Sequence, residues 1–365
     1  MSACLTLPEQ RFSLMPITSA PNSANGKSET PFVFTAYGLS LHANVGIPGL
    51  FDQPARLPAD VRIWLGETHP ELDQLVETQQ QWYLSPEVDD TGTPGLTIWK
   101  LADGGYFRLV YFDGTEFVFD ESGTQIWVTW SDKGTLAYAA SYLLGPILGL
   151  VLRLRGVTCL HSSCISIDGQ AIAFVGPGRA GKSTTAAAFA GRGYPVIADD
   201  IIALAHVDGT FFAQSGCPRL RLWPTSVEAL ARIGSPLPHS LPPDWGHRRY
   251  YLDLTQNGYE FERRVLPLAA IYLLSERSSD PSAPYVEAMT GGESLMGLIA
   301  NTYGTKLLDA SRRADEFTQL KALVDGVPVR RVYAHEAPEH LGKLCDLILS
   351  DFQQLRNGSP SLAGV

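Results

Sequence analysis

Residues 174–184 read Phe174-Val175-Gly176-Pro177-Gly178-Arg179-Ala180-Gly181-Lys182-Ser183-Thr184, which fits the pattern G-x-x-x-x-G-K-[ST] in full. The flanks agree with it. Gln170–Val175 is a short apolar run predicted to be a buried strand. Residues 184–190 (TTAAAFA) are predicted to open a helix that Gly191 and Gly193 can end. In this arrangement Gly176, Gly178 and Gly181 let backbone N–H groups close around phosphate oxygens where a Cβ would obstruct. The helix N-terminus adds its partial positive charge. The candidate nucleotide loop is therefore Gly176, Pro177, Gly178, Arg179, Ala180, Gly181, Lys182, Ser183 and Thr184. Lys182 is placed to reach the β- and γ-phosphates, and the Ser183 hydroxyl to ligate Mg²⁺. ATP and Mg²⁺ are the expected ligands, and the spacing does not choose between ATP and GTP.

Composition bounds the rest. A chain of 365 residues with 45% hydrophobic and 18% charged content can bury cores for two domains of ordinary size. A net charge of -10 argues against a nucleic-acid partner. Cys4, Cys159, Cys164, Cys217 and Cys345 are odd in number, scattered and without zinc-ligand spacing. They read as reduced, mostly buried thiols of a cytoplasmic protein. No basic start followed by an apolar core marks a secretory signal. The apolar run 138–152 (YAASYLLGPILGLVL) falls short of a span of about eighteen residues and is interrupted by Gly145-Pro146, so a buried helix is expected and no membrane partner.

Along the chain, 1–31 is rich in Ser, Pro, Asn and Thr and reads as a flexible arm. Residues 32–134 carry short β-type runs (Phe32-Val33-Phe34, Val61–Leu65, 96–99, 106–112) separated by Asp103-Gly104-Gly105, Asp113-Gly114 and Ser122-Gly123. They predict an α+β domain dominated by an antiparallel sheet, with no chemistry of its own but a plausible seat for substrate recognition. A connecting helix over 135–155 leads to a second unit, 156–355, followed by a tail, 356–365. In the second unit a hairpin turning at Asp168-Gly169 feeds the glycine loop. Strands are predicted at 196–198, 201–204, 268–274 and 327–333, and amphipathic helices at 314–324 and 340–355.

A phosphate loop needs a carboxylate at the tip of a neighbouring strand to hold Mg²⁺. Asp199-Asp200, directly after Val196-Ile197-Ala198, is the best candidate: one acid for the metal, the other for the proton of an attacking hydroxyl. The alternative is a solvated turn between two strands. His161, expected on the strand that begins the hairpin, would by itself read as a satisfied core histidine.

The stretch from Leu160-His161 through Gly176-Pro177-Gly178-Arg179-Ala180-Gly181-Lys182-Ser183 to Arg192-Gly193-Tyr194 and Ala198-Asp199-Asp200 resembles the catalytic domain of HPr kinase/phosphorylase. The likeness covers about 156–205 well and the C-terminal region weakly, where 325–333 is similar to the last strand of shorter kinase-like relatives. It implies an α/β fold, a P-loop-containing HPr kinase-like (PEP carboxykinase-like) domain preceded by a smaller α+β domain. It also implies a serine/threonine-type kinase in which Lys182 and Ser183 act on ATP and Mg²⁺ and Asp199 is a metal ligand. Asp200 is then the favoured base, and His161 assists near the γ-phosphate. The chain departs from the family in two places. Cys217-Pro218-Arg219-Leu220-Arg221-Leu222-Trp223-Pro224 stands where the family has a glutamate-bearing R-G-L-G-I segment, and Thr184 stands where it has a glutamate. Phosphorylase activity, hexameric assembly and HPr as substrate are therefore not carried over, and a homo-oligomer stays open. The longer N-terminal part and the P-x-L-x-L segment look like the kinases that phosphorylate lasso-peptide precursors.

Arg219 and Arg221 alternate with leucines and would share one face of a strand. Arg248-Arg249 and Arg263-Arg264 are paired after loops. Phosphoryl transfer gains from a guanidinium on the γ-phosphate. Arg219 is the first candidate for that task, and a solvated surface role is the alternative for each. The expected acceptor is a peptide or small protein. A non-catalytic nucleotide-binding regulator and a PEP carboxykinase-type enzyme are the alternatives.

Overall fold

A computed structural model describes residues 31–53, 58–89, 91–132, 134–235, 237, 249–304 and 308–358. Residues 1–30 of the expected arm, Arg248 and most of the expected tail lie outside them.

Eight strands of the N-terminal half form one sheet: β1 (Phe32–Ala36), β2 (Leu39–Ala43), β3 (Val61–Leu65), β4 (Gln80–Leu84), β5 (Leu96–Leu101), β6 (Tyr106–Tyr111), β7 (Glu116–Asp120) and β8 (Gln125–Thr129). Their order is β1-β2-β3-β8-β7-β6-β5-β4. From β4 to β8 the sheet is an antiparallel meander, but β3 pairs parallel with both β2 and β8. Antiparallel pairs dominate the sheet, as expected, with β3 inserted parallel between β2 and β8. Helix within this stretch amounts to α1 (Leu72–Leu75) and two 3₁₀ turns. They help cover an outer patch in which Trp64 stacks on Trp127 at 4.7 Å.

The sheet's other face is covered by α2 (Leu136–Tyr142) and α3 (Leu148–Leu154), joined by a π-helical turn, Leu143–Ile147. Pro146 lies inside that turn; its missing N–H accounts for the widened winding. The segment is the buried helix expected, and it forms core as well as connecting the two halves. Leu143, Ile147, Leu148 and Val151 are fully buried and pack with Phe34, Leu41 and Phe117 of the sheet and with Cys159, Ile201 and Ala203 of the second half. Leu136–Leu154 is long and apolar enough to cross a membrane by length and composition, yet 72% of its most apolar window is buried inside the protein. Arg153, at its end, is buried in an ion pair with Glu316.

The second half gives β9 (Thr158–Leu160), β10 (Ser162–Ile167), β11 (Gln170–Val175), α4 (Lys182–Ala190), β12 (Val196–Ala198), β13 (Ile202–Val207), β14 (Thr210–Ala213), β15 (Arg219–Leu222), α5 (Pro224–Arg232), β16 (Tyr250–Asp253), β17 (Leu266–Leu274), β18 (Tyr285–Ala288), α6 (Gly291–Ile299), α7 (Ala310–Gly326), β19 (Val329–Tyr333) and α8 (Leu341–Gly358). The second sheet runs β12-β10-β11-β17-β14-β13-β9, with β19 against β17 and β18 against β19. β17 is the spine. It pairs parallel with β11 on one side, and on the other with β14 by its start and β19 by its end. β15 and β16, with α5 between them in the chain, form a separate two-stranded antiparallel sheet. The described cysteines, Cys159, Cys164, Cys217 and Cys345, are buried free thiols, and burial pushes Cys159 and Cys345 up to about 12.

Candidate active site

β11 leads into the glycine loop and α4 leaves it. Gly176 is required at the loop entry because a Cβ there would stand 2.7 Å from the Leu274 carbonyl oxygen on β17. Gly181, at φ +108°, caps α4 in a backbone region that side chains disfavour. Lys182, the first residue of α4, is buried, and its ammonium donates to the carbonyls of Gly176 at 2.8 Å and Pro177 at 2.9 Å. Burial lowers its pKa, against the opposing pull of Asp200 and Asp199. Thr184 Oγ1 bonds Ser226 Oγ at 2.7 Å, tying α4 to the first turn of α5.

The acids sit beyond β12. Pairing of Cys164 with Ala198 brings β10 beside them, so Ser163 Oγ donates to Asp199 Oδ1 at 2.5 Å. The other oxygen accepts the Arg221 backbone N–H at 2.9 Å. Asp199 is buried, and desolvation together with the Asp200 charge raises its pKa against its bonds from Ser163, Arg221 and Ser183. Asp200 is turned the other way, into the open cleft, by a left-handed backbone at φ +68°.

Strand register then explains His161. Antiparallel pairing sets Leu160 opposite Ile202, so the chain leaves β9 beside Ile201, and His161 comes next to Asp200, the residue before it. His161 occupies the bend between β9 and β10, rather than a strand, and its Nε2 lies 3.7 Å from Asp200 Oδ1. Arg221 on β15 and Arg249, just before β16, supply two guanidinium groups, at 3.6 Å and 3.9 Å from Asp200. Burial alone would raise the Asp200 pKa, but the His161 bond and these two charges outweigh it and hold the carboxyl well below the usual range.

Lys182, His161, Asp200 and Arg249 line a cleft of about 840 Å³, and Asp199 and Arg221 lie behind Asp200 along a small adjoining pocket. Among the described residues lining the cleft, the cations Arg179, Lys182, Arg249 and Arg277 stand against the carboxylates of Asp200 and Glu87. On a chain of net charge -10, such a local excess of cations suits a polyanion. Arg179 projects from the loop onto the Trp223 ring, 5.0 Å from its centre, and Arg249 lies 4.6 Å from the same ring.

Of the residues singled out in the sequence, the structure brings Gly178, Arg179, Gly181, Lys182, Ser183, Thr184, Asp200 and His161 to this cleft, with Asp199 directly behind. Gly176 and Pro177 form the loop floor beneath Lys182, and Ala180 turns to its outer side. Arg219 does not reach the cleft. It points into a small neighbouring pocket with Tyr37 and Cys217, its guanidinium 4.8 Å from the Tyr251 ring centre. Arg221 has the place by Asp200 that the alternation left open between the two. Sequence reasoning passed over Arg277, Ser163, Trp223 and Glu87; none belongs to a motif, and only the fold makes them neighbours.

Ser183, which lines the cleft, and Asp199, which lies behind Asp200, offer a hydroxyl and a carboxylate, an all-oxygen pair that suits a hard cation such as Mg²⁺. Among the described residues no group of three or more His, Cys, Asp or Glu forms a metal cage. The pair fits an ion that takes its remaining ligands from phosphate and water.

No family model and no curated protein matches the chain. Among solved structures it is similar to the HPr(Ser) kinase/phosphatase from Coxiella burnetii, at 11% sequence identity and a TM-score of 0.32. That match covers 55% of this chain and 93% of the other. The likeness is a distant one of structure, and the chemistry of the site is read from its own side chains.

Proposed function

We propose that the chain transfers the γ-phosphoryl group of ATP to a serine or threonine hydroxyl of a peptide or small protein. The observation that carries this reading is Asp200: a carboxylate kept ionised by His161, Arg221 and Arg249, across one cleft from Lys182 and the glycine loop. Loop amides and Lys182 hold the triphosphate, and Arg249 and Arg221 balance the charge that shifts onto the oxygens around the transferred phosphorus. Mg²⁺, held by Ser183 and Asp199 when bound, supplies further charge neutralisation on the phosphates. Asp200 orients the acceptor hydroxyl and takes its proton as the oxygen–phosphorus bond forms and the bond to the β-phosphate oxygen breaks. His161 fixes the Asp200 carboxylate and stands at the phosphorus end of the cleft.

A peptide acceptor is supported by the shape of the site. The β4–β5 connection of the N-terminal sheet reaches the cleft at Glu87, so a bound chain would meet both halves of the protein. We place the acceptor among flexible peptides, including ribosomal precursors of the lasso type. Incubating the protein with MgATP and candidate peptides, followed by phosphopeptide mass spectrometry, tests the reading. Phosphoserine that disappears with Asp200→Asn, while nucleotide still binds, supports it. Nucleotide binding without turnover on any hydroxyl substrate would favour a regulator, and oxaloacetate-dependent ATP consumption would favour a carboxykinase.

A further inference from the structure

The cleft holds one carboxylate more than the reaction uses. We propose that Glu87 selects the peptide acceptor by a basic side chain. A Lys or Arg near the phosphorylated hydroxyl pairs with its carboxylate, and apolar neighbours of that residue pack on Leu84, Val88 and Phe112. The proposal rests on the peptide-kinase reading above and names the chemistry of the peptide.

Charge comes first. Arg179, Lys182, Arg249 and Arg277 line the cleft and suit a triphosphate, whereas Glu87 lines the same cleft and would repel one. Asp200 has partners of its own in His161, Arg221 and Arg249. The Glu87 carboxylate has none among the described residues; its backbone N–H alone is engaged, donating to Ser85 Oγ at 3.2 Å. Nor does its own stretch of chain offer a cation: from Ile63 to Trp99 there are seven Asp or Glu and no Lys or Arg. A nucleotide brings base, sugar and phosphates but no positive group, so this acid is left for the acceptor.

The setting of Glu87 points to a peptide. Its carbonyl accepts the Gly95 N–H at 2.7 Å, and the Asp89 N–H donates to the Thr93 carbonyl at 2.9 Å. These bonds extend the β4–β5 hairpin to the cleft and brace the element that carries the carboxylate, which lowers the ordering cost of a contact there. Leu84 and Val88 on the same arm leave large apolar side chains in solvent. So does Phe112, whose N–H donates to the Gly95 carbonyl at 3.3 Å. Three such side chains gathered at one hairpin beside a reacting cleft mark a contact surface rather than scattered exposure. An extended peptide with a basic residue among apolar ones matches both the charge and the patch.

A positional-scanning library of serine peptides, with Lys, Glu or Leu fixed at each position flanking the serine, is offered to the full chain with MgATP and read by mass spectrometry. At one position or more, Lys should outperform Glu by about tenfold, the scale of one hydrogen bond to a charged group. Glu87→Gln should remove that preference while KM for ATP holds. Glu87→Lys should reverse it, so that Glu-bearing peptides become the better substrates, a result that a misfolded variant cannot give. Equal use of Lys and Glu peptides by the wild type, or a Lys preference that survives in Glu87→Lys, would overturn the proposal. So would a Glu87→Gln defect equal for every peptide and relieved by added Mg²⁺, which would make the carboxylate a metal ligand. If no library peptide is phosphorylated while nucleotide binds, the kinase reading itself falls and takes this proposal with it, a separate and recognisable failure.

Discussion

His161 Nε2 and Asp200 Oδ1 lie 3.7 Å apart on two strand ends that the chain separates by the entire glycine loop and its helix. The pairing of β9 with β13 creates that neighbourhood, and Arg221 and Arg249 close around the same carboxylate.

Asp200→Asn should reduce turnover by about 10²–10⁴-fold, the range for loss of a positioned acid–base group. Nucleotide affinity should be retained or improved, because one negative charge leaves the phosphate cleft. Equilibrium binding and single-turnover kinetics on the same preparation check both halves.

The Asp200 pKa is depressed by its neighbours, so its ionised form is present above the ordinary aspartate range and is lost only as pH falls through the lowered value. Asp200 should therefore contribute no acid limb to kcat/KM above about pH 4. In Arg249→Ala the value should rise toward normal and such a limb should move upward. A pH–rate profile of the two proteins measures it.

His161→Ala should lower kcat by about 10²-fold, the scale for one lost electrostatic partner at a reacting centre, with little change in KM for ATP. Gly149→Ala tests the same residue from behind. A Cβ there would stand 2.3 Å from the Tyr303 ring, which packs edge-on against His161 with centres 6.4 Å apart. Its kcat should fall as well, and a Tyr303→Leu change in the same chain should restore part of it.

Glu87→Ala should change KM for the peptide acceptor and leave KM for ATP unaltered, because Glu87 reaches the cleft from the N-terminal sheet. Deleting that sheet is a poor test: it shares its core with α2, α3 and the second half, so the remainder would expose the helix faces it covers.

Arg153 and Glu316, both buried, pair across α3 and α7. Removing one partner as Glu316→Leu should cost about 3–5 kcal/mol in urea unfolding, since it leaves a buried charge alone. Arg153→Met together with Glu316→Leu should recover most of the loss.

The sequence by itself determined the strand–loop–helix over 170–190 and the acid pair after 196–198, because glycine spacing, apolar runs and turn residues act over a few neighbouring bonds. It left Arg219 and Arg221 equivalent, since alternation gives a shared face but not what the face meets. It marked 136–154 as a buried helix but not what buries it, because an apolar run does not name its neighbours. Tertiary structure decided those questions. The fold brings His161, Arg249 and Arg277 from separate segments to one cleft, and the packing of the N-terminal sheet on α2 and α3 makes that helix the common core of both halves. Local backbone geometry is written within a motif; long charged side chains acquire partners only when distant strands are set in register.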